Sequence, residues 1–398
     1  MDKKVVIETV NNKEICRLQC TARTVGLAIT ADGILCCGWS SNITYIDLNC
    51  IRAPEVVLSH DNKVSGLYST GNRLLSAALD CRIKYWDTTS TFLSRPIKTV
   101  GLDRRWVMTC CVSKDEKAYS GGLDNRITVH NLKVNHERPL HVLAHEGYVS
   151  HLLCSPDDRW LFATSGDGKV TQYDRATHTI YANMHEGTND CMHVCLSPSN
   201  STLYSCYCSG IILSWDLTLA PLHGSKKRPY CQKFVGTVAI EPNNSDFNTC
   251  QVSPDGKFLY AGCDDGYIYQ WALDNSPCDS DSKQNEIRYA TRRFCKKDYS
   301  TNTANVIHAI ALHNDLLIAA DDTGVSILNL GAVPERYQLH DLEDILSSRD
   351  HTINLPPELT NIVWMYVHEE GYPHVEQLQM TVNKIDQPRQ EHRTCLIS

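Results

Sequence analysis

One phrase recurs through most of the chain, and a period of this size limits the fold more than any local propensity does. The phrase is a short apolar run, a tight turn carrying Asp or Gly, a second apolar run and an aromatic-then-acidic step. LLSAALDCRIKYWD (74–87) is its clearest copy. AYSGGLDNRITVHN (118–131), LFATSGDGKVTQYD (161–174), LYSCYCSGIILSWD (203–216) and LYAGCDDGYIYQWA (259–272) repeat it. ILCCGWSSNITYID (34–47) and LLIAADDTGVSILN (316–329) complete a set of seven. The closing residues Asp47, Asp87, Asn131, Asp174, Asp216, Ala272 and Asn329 are spaced by 40, 44, 43, 42, 56 and 57 residues. Short β-rich runs around Asp/Gly turns are hairpin signals. A further apolar run precedes each copy, often ending in Ser-Pro before a turn, as in LLCSPDD, HVCLSPSN and TCQVSPDGK. Before that run lies a loop, three times with a histidine: His60 in SHDNKV, His145 in AHEGYV and His185 in MHEGTN.

On these residues the chain resembles the WD-repeat β-propellers, with Trp86-Asp87 and Trp215-Asp216 as WD pairs, over about residues 14–331. The resemblance implies an all-β, seven-bladed propeller within residues 1–332, with EICRLQ (14–19) as the outer strand of the last blade. Elementary packing agrees. A four-stranded blade has two apolar faces and must stack between neighbours, and closing the ring leaves no end blade bare.

The family pattern further implies a structural network of His60, Asp80 and Trp86 inside one blade, repeated by His145 and Asp167 with Tyr173 in place of the Trp. In the fifth copy Ser209 stands at the turn position, which leaves His185 without a carboxylate. Loops leading into the innermost strands commonly hold partner peptides in such proteins. The third copy puts Asp103, Arg104, Arg105 and Trp106 there. Arg and Trp are enriched at interface hot spots and suit an acidic or aromatic peptide. The competing reading is a solvated loop with Trp106 tucked against the next blade.

Composition narrows the function classes. A net charge of −8 argues against a nucleic-acid-binding surface over the whole protein. Lys226, Lys227 and Arg228 are too few for more than a local basic patch or an import signal beside a plain solvated loop. MDKKVVIETVNNKEICR lacks the apolar core of a secretory signal, and the expectation is a cytoplasmic protein. The 19 cysteines are then expected to be free, buried thiols acting as small hydrophobes. Cys191, His193 and Cys195 alternate along CMHVC and would share one strand face, a partial zinc set without an evident fourth ligand. Core packing is the competing reading. No phosphate-binding, metalloprotease, nucleophile-elbow or dinucleotide motif occurs, so no enzyme, cofactor or metal is expected.

The gaps at about 219–234 and 274–302 read as surface insertions. Residues 333–380 form a C-terminal extension, with PPELTNIVWMYVHEE (356–370) spaced as an amphipathic helix. Residues 381–398 read as a flexible polar tail ending Cys395-Leu396-Ile397-Ser398, a CaaX-like pattern whose final Ser favours farnesylation of Cys395. One lipid chain binds membranes weakly and reversibly, and the side chains of 383–398 sum to only +1. The expected function is therefore a non-enzymatic scaffold that binds proteins or peptides through its rim, reversibly tethered to cytosolic membrane faces. The alternative is a substrate-recognition subunit of a ubiquitin ligase, because LPPEL before an amphipathic segment is similar to the start of an F-box.

Overall fold

The computed structural model describes residues 5–6, 14–19, 23–48, 55–88, 96–101, 105–134, 138–185, 189–218, 232–237, 246–273, 292–295, 305–330, 352–353, 378–382 and 393–397. Among them, seven antiparallel sheets follow one another as the blades of a propeller. Blade 1 is Thr24–Ile29, Ile34–Trp39, Asn42–Asp47 and Glu55–Ser59, from the innermost strand outward. Blade 2 is Val64–Thr70, Arg73–Ala78, Arg82–Asp87 and Lys98–Gly101. Blade 3 is Val107–Val112, Lys117–Gly122, Arg126–Asn131 and His141–Ala144. Blade 4 is Val149–Cys154, Trp160–Ser165, Lys169–Asp174 and Thr179–His185. Blade 5 is Cys191–Leu196, Thr202–Tyr207, Ile211–Asp216 and Gln232–Thr237. Blade 6 is Phe247–Val252, Phe258–Cys263, Tyr267–Ala272 and Arg292–Cys295. Each closing residue of the repeat is the last residue of a third strand.

Blade 7 takes Ile307–His313, Leu316–Asp321 and Gly324–Asn329 from the end of the repeat. Glu14–Gln19 lies beside Gly324–Asn329 in the same sheet, and Val5–Val6 pairs with it as a fifth strand. Two of the expected insertions are smaller than the gaps they fill. Gln232–Thr237 and Arg292–Cys295 are the outer strands of blades 5 and 6. QKFVGT and RRFC are short runs that a polar context hid.

Packing follows from the two-faced blades. Cys36, Ile43, Leu74 and Trp86 join blades 1 and 2 in one cluster. Cys195, Cys206, Cys250 and Trp271 do the same for blades 5 and 6. All 12 cysteines with described side chains are free thiols, and 10 of them are buried. Burial pushes the Cys36 and Cys110 thiols well up, so they act as apolar filler.

Every innermost strand has a β-bulge after its first residue, as at Val64/Gly66, Val149/His151 and Phe247/Thr249. The extra residue reaches the next blade. Ser65 donates to the Val107 carbonyl, Ser150 to the Cys191 carbonyl at 2.6 Å, and Asn248 to the Ile307 carbonyl at 3.1 Å. At the closure, Arg23 meets His308 Nδ1 at 2.9 Å, and His308 Nε2 lies 2.7 Å from Asp322. These bonds stitch neighbouring blades.

A second unit comprises Ile7–Ile15 and Asn329–Ser398. In it, Leu378–Val382 pairs in parallel with Thr352–Ile353 and antiparallel with Arg393–Ile397, setting Cys395 opposite Met380. The last residues thus hold a strand where an unpatterned tail was expected, since Thr-Cys-Leu-Ile is rich in strand formers. The helix expected at 356–370 lies outside the described residues, and no helix occurs within them.

Candidate functional site: the upper rim

Antiparallel blades put two kinds of loop on one rim: the segments before the innermost strands and the turns between second and third strands. A repeated backbone bond clamps them together. Leu79 N–H donates to the Lys63 carbonyl, Leu123 to Trp106, Gly166 to Tyr148, Cys208 to Asp190 and Asp264 to Asp246, at 2.8–3.2 Å.

In blade 2 the clamp is reinforced by side chains. His60 Nδ1 lies 2.8 Å from Asp80 Oδ2, and His60 Nε2 lies 2.7 Å from Ser76 Oγ. Trp86 Nε1–H donates to the same hydroxyl at 2.8 Å. The Asp80 carboxylate only accepts, so a neutral His60 keeps its proton on Nδ1 and its Nε2 accepts from the Ser76 hydroxyl, which in turn accepts from Trp86. His60 is then the Nδ1–H tautomer, donating to Asp80. Burial lowers the imidazole pKa, which keeps it neutral. Asp80 also accepts the backbone N–H of Asp61 and Arg82. Ser76 is the member that reading the sequence missed. The serines at equivalent positions, Ser120 and Ser205, were the signal.

His145 and Asp167 do not form the same network. Asp167 accepts from the Ser165 hydroxyl at 2.6 Å and lies 3.0 Å from the Lys169 ammonium. His145 Nδ1 accepts the Glu146 N–H, its Nε2 has no hydrogen bond, and its ring stands edge-on to Tyr173. The neighbouring cations behave alike, Arg82 pairing with Asp61 and Lys169 with Glu146. What differs is the hydroxyl: Ala163 stands where Ser76 holds His60, and Ser165, in the place of Ala78, donates to Asp167 instead. His185 is exposed at the end of its strand.

Cys191 and Cys195 do not share a face, contrary to strict alternation. The bulge between Cys191 and His193 shifts the register. Cys191 enters the core between blades 4 and 5, and Cys195 enters that between blades 5 and 6. His193 stacks on His151 with ring centroids 3.7 Å apart. Among the described residues no group of three or more His, Cys, Asp or Glu is placed to hold a metal ion.

Blade 3 presents the feature with binding character. Arg105 and Trp106 are exposed where the chain turns into Val107–Val112, and the indole is 52% exposed rather than tucked against a blade. Its backbone is held, because the Trp106 carbonyl accepts Leu123 N–H and sits so close that a Cβ on Gly122 would lie 2.0 Å from it. Equivalent positions in other blades carry Ala78, Ser165, Tyr207 and Cys263. The close approach belongs to blade 3, and it fixes an aromatic anchor at little entropic cost on binding. Arg104 lies outside the described residues. Elsewhere on the rim the charge reverses. Burial, then the Asp264 and Asp190 carboxylates, raise the Asp246 pKa. Asp264 itself accepts the Asp246 N–H at 2.9 Å.

The family model of the WD domain, G-beta repeat, matches residues 52–87, 137–174 and 233–272. Those matches end at Asp87, Asp174 and Ala272, the closing residues of three copies. The chain is 26% identical over 159 residues to guanine nucleotide-binding protein subunit beta-5b of Danio rerio, covering 38% of this chain and 40% of that protein. It is 22% identical over 182 residues to pre-mRNA-processing factor 17 of Homo sapiens, covering 42% and 30%. It is 23% identical over 204 residues to protein groucho of Drosophila melanogaster, covering 50% and 24%. The matches thus span less than half the length of each relative.

Proposed function

Because this chain is a WD-repeat β-propeller, we propose that it is a non-enzymatic scaffold that captures partner proteins on its upper rim through Arg104, Arg105 and Trp106. The observation that carries the reading is Trp106, a half-exposed indole on a clamped backbone beside an exposed arginine. Guanidinium and indole favour an acidic or aromatic peptide. The acidic group of Asp190, Asp246 and Asp264 gives the rim a second polarity, suited to a basic residue in the same partner. By name, the Danio rerio relative is a subunit, which supports work in assemblies.

The test is affinity capture with full-length protein carrying Arg104→Glu and Arg105→Glu, alongside Trp106→Ala. At least one partner of the unsubstituted protein should be lost from both. Unchanged capture by both retires the site. Reversible membrane tethering at cytosolic faces by a farnesyl group on Cys395 is the second element of the proposal, and it requires Ser398 to be the carboxyl-terminal residue. Intact mass of protein from eukaryotic cells decides it: a free Cys395 with Leu-Ile-Ser still attached removes the tether. The ubiquitin-ligase reading rests on residues 353–370, of which 354–370 lie outside the described residues, and no observation favours it.

A further inference from the structure

Seven large apolar side chains are exposed among the described residues, and six of them lie in blades 2 to 4, the three blades whose outer strands have fully described side chains. Ile97, Val134, Leu140, Val142, Ile180 and Tyr181 all lie on or beside the outer strands of blades 2 to 4, and the seventh is Trp106. Side-chain contacts make the six one region. The Lys98 ammonium of blade 2 donates to the Asn131 carbonyl of blade 3 at 2.7 Å, and to that of Val134. The His141 ring of blade 3 meets the His178 ring of blade 4 at 4.2 Å. Tyr181 lies 4.5 Å from Trp160, which the Arg159 guanidinium covers.

The outer strands of blades 3 and 4 also lack the residues that guard an edge. Exposed edges are normally protected by charge or proline, since bare backbone N–H and C=O groups invite another strand. The outer strands of the other blades carry Glu55, Lys98, Lys233, Arg292 and Glu14. HVLA of blade 3 and TIYANMH of blade 4 have no Asp, Glu, Lys, Arg or Pro. Each is the last strand of its sheet, and no described strand pairs with its outward edge. A fifth strand is compatible with the architecture, because Val5–Val6 already occupies that place in blade 7.

The charge around the edges selects the occupant. Lys133, Arg138 and Arg159 are exposed. Of the nearby carboxylates, Asp115 and Asp158 are held by Arg175, while Asp157 and Asp174 stay at the surface with local bonds to Ser155 and to the backbone of Ala176 and Thr177.

We infer that the outer edge of blade 4, continued by that of blade 3, takes an extended segment of another protein as an added strand, with alternating apolar and acidic residues. Backbone pairing with Thr179–His185 supplies affinity. Apolar side chains cover Ile180, Tyr181 and Val142, and acidic ones meet Arg138, Lys133 and Arg159. This edge is separate from the upper rim and stands whether or not Trp106 binds a partner.

The experiment uses the full chain and a fluorescein-labelled ten-residue peptide of alternating Val and Glu, read by fluorescence anisotropy. Binding should weaken at least tenfold when alternate peptide nitrogens are methylated, which removes strand pairing, and when Lys replaces Glu. It should weaken at least tenfold in Ile180→Glu, a surface change that leaves the core intact, and be unaffected by Trp106→Ala. Absence of binding, or binding indifferent to both N-methylation and Ile180→Glu, overturns the inference. Two other outcomes also overturn it by assigning the patch elsewhere. One is co-sedimentation with phosphatidylserine vesicles, lost in Ile180→Glu, without peptide binding. The other is dimerisation in analytical ultracentrifugation, lost in the same variant, without peptide binding.

Discussion

Replacing Ser76 with Ala should destabilise the protein about twice as much as replacing Ser205 with Ala. Both hydroxyls are fully buried, and both accept a tryptophan N–H at 2.8 Å: Trp86 for Ser76, Trp215 for Ser205. Their remaining bonds differ. The Ser76 proton goes to His60 Nε2 at 2.7 Å, whereas the Ser205 proton goes to the Tyr207 hydroxyl at 3.3 Å. Ser76→Ala therefore strands two buried groups, the Trp86 donor and the His60 acceptor. Each stranded group costs roughly 1–3 kcal/mol, so the total is roughly 2–6 kcal/mol. Ser205→Ala strands the Trp215 donor and loosens a long contact to an oxygen that can also donate, which gives roughly 1–3 kcal/mol. The size change is one oxygen in each case, so cavity terms cancel in the comparison. Urea unfolding followed by tryptophan fluorescence measures both, with the slope checked for constancy. Equal losses, or a larger loss in Ser205→Ala, would refute the proton arrangement assigned to His60.

Arg175→Met should cost about 1–3 kcal/mol, because it removes the buried guanidinium that Asp115 and Asp158 share but leaves both carboxylates in reach of water. Burial works to raise the Asp115 pKa, but hydrogen bonds from Ser113, Lys117 and Arg175 hold it well below the usual carboxylate range. The corresponding stability is present above the ordinary carboxylate pKa and is lost as pH falls below it. Thermal unfolding from pH 7 to pH 3 should thus show a shallower acid loss in Arg175→Met than in the parent. Burial also holds His193 at about 4, while His151 is lowered by burial and by His193 beside it. Both are neutral in the fold and protonate in the unfolded chain below about 6.5, so stability falls from there down to about pH 4. His193→Gln should flatten that limb in the same scans. Gly122→Ala should cost about 1–3 kcal/mol by driving a methyl into the Trp106 carbonyl. It should also weaken any Trp106-dependent capture without touching the indole, and unchanged capture would show that the clamp is dispensable.

The propeller was readable because its signal is carried by many weak matches in register. Each third strand ends at an Asp, Asn or Ala that the period alone locates, so no single residue had to be right. Side-chain pairing was less readable, for two physical reasons. One residue of bulge inverts the facing of all that follows, so CMHVC sends Cys191 and Cys195 into different cores although their spacing is even. The position of one hydroxyl is the other reason. Ser76 completes the His60 network, whereas in blade 4 the serine stands two residues later, at Ser165, and takes Asp167 for itself. The exposure of Trp106 likewise depends on Gly122, sixteen residues on, whose missing side chain lets the loop drop onto the strand. The bare edges of blades 3 and 4 fall between these cases. Their lack of charge is plain in HVLA and TIYANMH, but it means something only once those runs are known to be the outermost strands. Buried on both sides, the same residues would be ordinary core. Placed at the circumference, they leave backbone that no described strand pairs and large apolar side chains facing water, an arrangement that solubility alone disfavours and that a bound strand would explain.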